Sequence, residues 1–433
     1  MAKEYWTSSW SRLYRLAPAI GGILVSLLCS VPPSMAQNPA TFGPALTLTT
    51  GASPASVAVA DVNGDGKPDI LVVNTGANTF SVLLGTGDGT FGPKTDFSTG
   101  ILPHGIAVAD LNGDGKLDVV VANTGADTVS VLLGQGDGSF APATNFPTGV
   151  NPFVPAISDL NGDGIPDLVV VNVGPGANSV SVLLGRGDGT FGPKTDFSTG
   201  ADPRDVVIAD LNGDGIPDLV VANVTASTVS VLLGMGNGQF APKADFLTGA
   251  GARGLAVADV NGDGFLDVVV INVTDATVSV LLGNGTGALG PKTDFATGAG
   301  PRAVVIADLN RDGKPDLVVA NFSANTISVL LGIGNGTFAA KTDLTTGANP
   351  FSLAIDDLNG NGTPDVVVLD SGAAALTVFL DTTPASVTLV AAVLPSSRSV
   401  RVGVPATAFA TIINAGTTTA AGCTLGVSQS LPA

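Results

Sequence analysis

One acidic, glycine-broken phrase, "DLNGDGIPD" and its near copies, starts at Asp61, Asp110, Asp159, Asp210, Asp259, Asp308 and Asp357, at intervals of 49, 49, 51, 49, 49 and 49 residues. A period near 50 restricts the chain to a solenoid, a propeller or an array, because each unit is a supersecondary piece that buries its apolar surface only against its neighbours. The strand content of a unit decides among them. In the second unit, residues 105–109 are short, apolar and extended, and 110–118 form a turn-rich loop that no helix tolerates. Residues 119–123 read as a second strand and 128–133 as a third, ended by the glycine-rich turn 134–139; a weaker fourth lies at 143–147. Four antiparallel strands with Ala and Val on both faces describe a sheet covered on both sides by its neighbours, which is a propeller blade. The expectation is an all-β, seven-bladed β-propeller of four-stranded antiparallel blades over residues 37–381.

The ends of the repeat suggest how the ring closes. The chain opens its first unit with Phe42-Gly43-Pro44, matching Phe91-Gly92-Pro93 and Phe191-Gly192-Pro193, and no such segment follows the seventh loop. Residues 41–50 are therefore expected to supply the outer strand of the last blade. After Asp381 the pattern stops. Segments 386–393, 399–402 and 408–413 read as strands, and residues 382–433 resemble the start of an immunoglobulin-like β-sandwich, too short to complete that fold.

Residues 1–36 differ from all that follows. Lys3, Arg12 and Arg15 precede an apolar run from Ala19 to Leu28, and Ser34-Met35-Ala36 follows, which is the layout of a secretory signal peptide cleaved after Ala36. The run is too short to span a membrane. Both Trp, both Tyr and the only Glu lie in this leader, and without it the chain holds one His, His104, and one Cys, Cys423. An exported chain with one Cys needs a source of stability other than an internal disulfide. Of the 18 basic and 36 acidic residues, the leader takes three and one, which leaves 15 against 35 and a net charge of −20. Such a surface repels nucleic acid and anionic lipid and attracts cations.

The units resemble FG-GAP/VCBS repeats, of the kind that build the integrin α-subunit propeller. The resemblance rests on Phe-Gly-Pro, on Thr99-Gly100-Ile101-Leu102-Pro103, and on "DLNGDGIPD", which resembles the family's calcium loop. It implies a seven-bladed ring with cations bound in loops between the first two strands of blades.

The loop chemistry agrees with that implication. A hard divalent cation takes six to eight oxygen ligands. In the second unit Asp110, Asn112, Asp114 and Asp118 stand at loop positions 1, 3, 5 and 9, and Lys116 offers its carbonyl at position 7. Asp61, Asn63, Asp65, Lys67 and Asp69 repeat the set in the first unit, and Asp159, Asn161, Asp163, Ile165 and Asp167 in the third. The fourth has Asp210, Asn212, Asp214, Ile216 and Asp218, and the fifth Asp259, Asn261, Asp263, Phe265 and Asp267. The sixth, Asp308, Asn310, Asp312, Lys314 and Asp316, keeps its ligands but has Arg311 where the others have glycine. The seventh, Asp357, Asn359, Asn361, Thr363 and Asp365, has only two carboxylates and is expected to bind most weakly. The spacing copies the first nine positions of an EF-hand loop without its bidentate Glu. Up to seven structural Ca²⁺ would reduce the net charge from −20 to −6.

Other signals read more simply. Arg186-Gly187-Asp188 falls in a repeat turn, His104 precedes a first strand at a blade rim, and Asn223, Asn272 and Asn321 begin sequons where turn chemistry already explains Asn. Arg204, Asp205, Arg253 and Arg302 differ between units and mark blade rims as the place for a protein or glycan partner. The leading expectation is a secreted, monomeric, calcium-stabilised binding, adhesion or scaffold module without catalytic residues. A polysaccharide lyase-like enzyme and a lectin are the alternatives; a single His and the absence of Glu, Tyr and Trp after the leader weigh against both.

Overall fold

The computed structural model describes residues 39–383 and the strand segments 24–29, 389–392, 411–414 and 423–428. Residues 37–383 form one compact unit; 1–36 together with 384–433 form another.

The larger unit is a seven-bladed propeller of four-stranded antiparallel sheets. The innermost strands are Pro54–Ala60, Pro103–Ala109, Pro152–Ser158, Pro203–Ala209, Ala252–Ala258, Pro301–Ala307 and Pro350–Asp356. In the second blade they are followed outward by Asp118–Asn123, Thr128–Leu132 and Thr144–Pro147. Each innermost strand touches the next around the circle, and the seventh touches the first.

Alternation explains why the second strand of every blade is fully buried. In Asp69–Asn74, Ile70 and Val72 pack towards the seventh blade while Leu71 and Val73 pack towards the second. Seven apolar clusters result, one at each interface between blades. No blade holds a core of its own, so the blades are stable only together.

The ring closes as its ends suggest. Leu46–Thr49 pairs antiparallel with Ala375–Phe379 and completes the seventh sheet. Phe42 bridges to Asp381 as Phe91 does to Gly85, and the Gly43 N–H donates to the Leu380 carbonyl at 2.9 Å as Gly92 does to Leu84 at 2.8 Å. Removing residues 37–50 leaves Ala375–Phe379 as a bare edge and exposes Leu46's and Leu48's neighbours in the closing core. The expected outcome is a loss of about 3–6 kcal/mol and self-association, read by urea unfolding and size-exclusion chromatography. An unchanged midpoint and a monomeric profile would refute this closure.

Each innermost strand begins two residues earlier than its apolar pattern suggests, because a register shift follows its first residue, as between Pro103 and Ile106 or Pro203 and Asp205. This irregularity recurs in all seven blades. Bulges re-aim side chains, and this one places the second residue of each strand at the propeller axis.

In the smaller unit, Leu24–Cys29 pairs antiparallel with Cys423–Ser428 and Leu389–Ala392 with Thr411–Asn414. The rest of the leader, the segment 399–402 and most of the immunoglobulin-like reading lie outside the described residues.

Candidate functional site

The antiparallel order puts the loops between first and second strands, and the turns between third and fourth, on one face of the ring. The hairpins between second and third strands and the connections between blades lie on the other. The seven acidic loops thus share one face.

Within a loop the side-chain oxygens wrap the backbone. The N–H groups of Gly64 and Asp65 donate to Asp61 Oδ1 at 2.8 and 3.2 Å, and that of Gly66 to Asp61 Oδ2 at 2.7 Å. Asn63 Oδ1 accepts from Asp65 N–H, and Asp65 Oδ1 from Lys67 N–H. The second loop repeats all five bonds through Asp110, Asn112 and Asp114. Gly64 and Gly66 have φ of 73° and 79°, the left-handed region that lets the loop curl. Arg311 keeps that conformation at φ 58°.

The ninth-position carboxylates do a task that sequence spacing does not reveal. Asp118 is fully buried; its Oδ2 accepts from Leu111 N–H at 2.9 Å and its Oδ1 from Gly134 N–H at 2.8 Å. It thereby ties the acidic loop to the turn after the third strand. Asp69, Asp167, Asp218, Asp267, Asp316 and Asp365 make the equivalent pair of bonds. Burial pushes all seven up, and the loop carboxylates add to the effect; for Asp316 and Asp365 the value reaches about 6.

Among the described residues no three acidic, His or Cys side chains gather as a ready-made metal cluster. The donor set nevertheless suits a hard cation: it is all oxygen, and a carboxylate that accepts one to three N–H bonds keeps a lone pair for coordination. Lys67, Lys116 and Lys314 stand 3.7, 3.8 and 3.5 Å from the position-5 carboxylates of their own loops. Exposed pairs at such distances contribute little.

The seventh loop departs from the others. Asn361 Oδ1 accepts both the N–H and the hydroxyl of Thr363, and its Nδ2 donates to the Asp381 carbonyl. The Arg311 guanidinium reaches across from the sixth loop to the Asn361 carbonyl at 2.9 Å. A fixed positive charge thus stands beside the loop with the fewest carboxylates.

The structure relocates five residues read as rim positions. Arg204, Arg253 and Arg302 are the second residues of three successive innermost strands and line a pocket of about 190 Å³ on the axis, near the face opposite the acidic loops. His104 is not a solvated loop residue; it sits in the same pocket, its ring stacked on Phe153 at 3.6 Å between centroids. Burial, with Arg253 and Arg204 nearby, pushes it down to about 3, so it is neutral at pH 7. Asp205 also lines the pocket, its oxygens accepting from Val206 and Leu255 N–H groups.

Burial pushes the Asp205 carboxyl up to about 6. Between about pH 4 and 6 the unfolded chain releases this proton while the folded protein retains it, so stability falls as pH rises through that window and is flat above it. Asp205→Asn removes the dependence. The stability gap between wild type and variant should change by at most about 3 kcal/mol across the window in urea titrations; a pH-independent gap would contradict the assignment.

Asn223, Asn272 and Asn321 are fully buried and donate to Ser230, Ser279 and Ser328 inside their blades. The folded chain presents none of them to a glycan-transferring enzyme. The seventh blade has Asp370 in place of this Asn, with Thr377 donating to it. Its outer strand, borrowed from the start of the chain, lacks the carboxylate that Asp96 offers Ser81 in the first blade. Asp188 of Arg186-Gly187-Asp188 is exposed and accepts from Thr190 within its turn.

Solved structures support the fold. BBS1N, from a crystal structure of its complex with ARL6DN soaked with lead, is 14% identical, with a TM-score of 0.57 over 79% of this chain and 97% of that one. A functionally unknown protein from Desulfotomaculum acetoxidans DSM 771 is 15% identical, with a TM-score of 0.53 over 68% and 86%. A Lactobacillus plantarum protein is 16% identical, with a TM-score of 0.50 over 75% and 88%. At such identities the likeness is one of fold alone. No curated protein matches the chain. The FG-GAP-like repeat profile matches residues 35–72, 61–121, 110–170, 159–221, 210–270, 259–319 and 308–368, one match for each acidic loop. With seven matched units spanning most of a closed seven-bladed ring, the chain belongs to the FG-GAP repeat family.

Proposed function

We propose that this protein is an exported binding or scaffold module whose ring is stabilised by Ca²⁺ in the loops between first and second strands. The observation that carries the reading is the sevenfold recurrence of one loop, with side-chain oxygens at positions 1, 3, 5 and 9 and a backbone carbonyl at position 7. Asp110, Asn112, Asp114, Asp118 and the Lys116 carbonyl would hold the ion in the second blade, and their counterparts would do so in the others. The bound cation supplies neutralisation of carboxylates that otherwise repel one another. Arg311 and the self-bonded Asn361 support a weak seventh site.

Exposed apolar side chains for a partner stand on both faces: Ile101, Leu102 and Val150 are 58%, 48% and 51% exposed in successive connections between blades, and Met235, Phe265 and Ile333 are 59%, 46% and 47% exposed on the acidic-loop face. Calorimetric titration of Ca²⁺ into chelated protein tests the reading: six comparable sites and a seventh weaker one are expected. Absence of binding heat at millimolar Ca²⁺ would overturn it. Pull-downs and glycan arrays in millimolar calcium then address the partner.

A further inference from the structure

In a chain that repeats almost word for word, the second residue of the innermost strand is one of the places where the units disagree: Ala55, His104, Phe153, Arg204, Arg253, Arg302 and Phe351. The bulge after the first residue turns this position to the axis, so seven variable side chains 49 to 51 residues apart in sequence meet in one cavity. Three of them are arginines, in a chain of net charge −18.

Their charge is balanced only in part from within, three guanidiniums against the carboxylates of Asp202 and Asp205. Arg204 Nε pairs with Asp202 Oδ1 at 2.9 Å. Among the described residues, Arg253 and Arg302 make neither an ion pair nor a hydrogen bond, and Arg302 Nε and His104 Nδ1 are buried without partners. Asp205 also faces the cavity; backbone N–H groups hold its oxygens, and its carboxylate offsets part of the charge on Arg253 without forming an ion pair with it. The guanidiniums lie against rings instead: Arg204 and Arg253 are 5.3 and 5.7 Å from the Phe153 centroid, Arg253 is 5.5 Å from that of Phe351, and Arg302 is 4.9 Å from that of Phe322. Such contacts orient a cation and offset part of its desolvation without neutralising it. Burial and mutual repulsion push Arg253 down to about 9.

We propose that this axial pocket is an oxyanion-binding site, in which Arg204, Arg253 and Arg302 receive a carboxylate, sulfate or phosphate group between walls formed by Phe153, Phe351 and His104. The planar guanidinium fork matches the paired oxygens of such groups. The cavity is smaller than the pockets that enclose drug-sized ligands, which fits a small anion or the charged head of a larger molecule. The site depends on the closed ring and not on the loop cations, so it stands if the calcium reading fails.

The test is calorimetric titration of the full chain, at constant ionic strength in chloride, with galacturonate, glucose 6-phosphate and sulfate, and with glucose as the neutral twin. At least one oxyanion binds one per chain, and glucose does not. Arg253→Gln and Arg302→Gln, read independently so that one misfolded variant does not remove the test, each weaken that binding about tenfold or more. Arg186→Gln, in an exposed turn, leaves it unchanged. The proposal is overturned if no oxyanion binds above chloride, or if the anion binds the folded Arg253→Gln and Arg302→Gln chains as it binds wild type, as it would by acting only through loop calcium.

Discussion

Stripping divalent cations from this protein lowers its unfolding midpoint by about 10–15 °C, and restoring millimolar Ca²⁺ recovers it. Each loop that binds native but not unfolded chain adds about 1.4 kcal/mol at ten times its dissociation constant, so seven loops together add about 10 kcal/mol. A unit of roughly 350 residues has an unfolding entropy of about 0.7 kcal/mol/K, which converts that figure to the stated shift. The effect is spread round the ring because no blade has a core of its own. Melting by calorimetry with and without EDTA reads it. Superimposable traces would mean that the wrapped loops are held by their N–H bonds alone.

Replacing one buried ninth-position carboxylate costs about 3–5 kcal/mol even without metal. Asp118→Ala leaves the N–H groups of Leu111 and Gly134 in a dry interior without acceptors, each with a penalty of about 1–3 kcal/mol. It also frees the acidic loop from the turn after the third strand. Asp118→Asn retains one acceptor and should fall between. Asp114→Ala, at an exposed position whose Oδ1 accepts one bond from Lys116 N–H, should lose under about 1 kcal/mol in EDTA. Urea unfolding of the four chains gives the order wild type, Asp114→Ala, Asp118→Asn, Asp118→Ala. If the two alanine variants lose equally in EDTA, the clamp is not structural and the carboxylates matter only through a bound ion.

Local physics made most of the fold legible before any coordinates. Glycines at fixed offsets force the loop to curl, β-branched runs make strands, and Phe42-Gly43-Pro44 betrays the displaced outer strand because it is a copy out of place. At positions 1, 3 and 5 the side-chain oxygens accept N–H bonds from within five residues, so the wrapping of the loop is local. Position 9 carries a structural role that its spacing does not reveal. Its second bond, which Asp118 accepts from Gly134 N–H, crosses 16 residues and exists because two strands return to the same face.

The amino-acid order thus determined the repeat, the strands, the acidic loops and the way the ring shuts, because each depends on residues adjacent in the chain or copied at a constant interval. Tertiary structure alone decided the axial pocket. His104, Arg204, Arg253 and Arg302 each look like an irregular residue in a connection between blades, and only the bulge that rotates them inward and the closure that brings seven strands to one axis make them neighbours. Excess positive charge arises from that convergence: one arginine at a blade edge is hydrated, whereas three around a common cavity repel one another and lose water together, with only Asp202 and Asp205 to offset them.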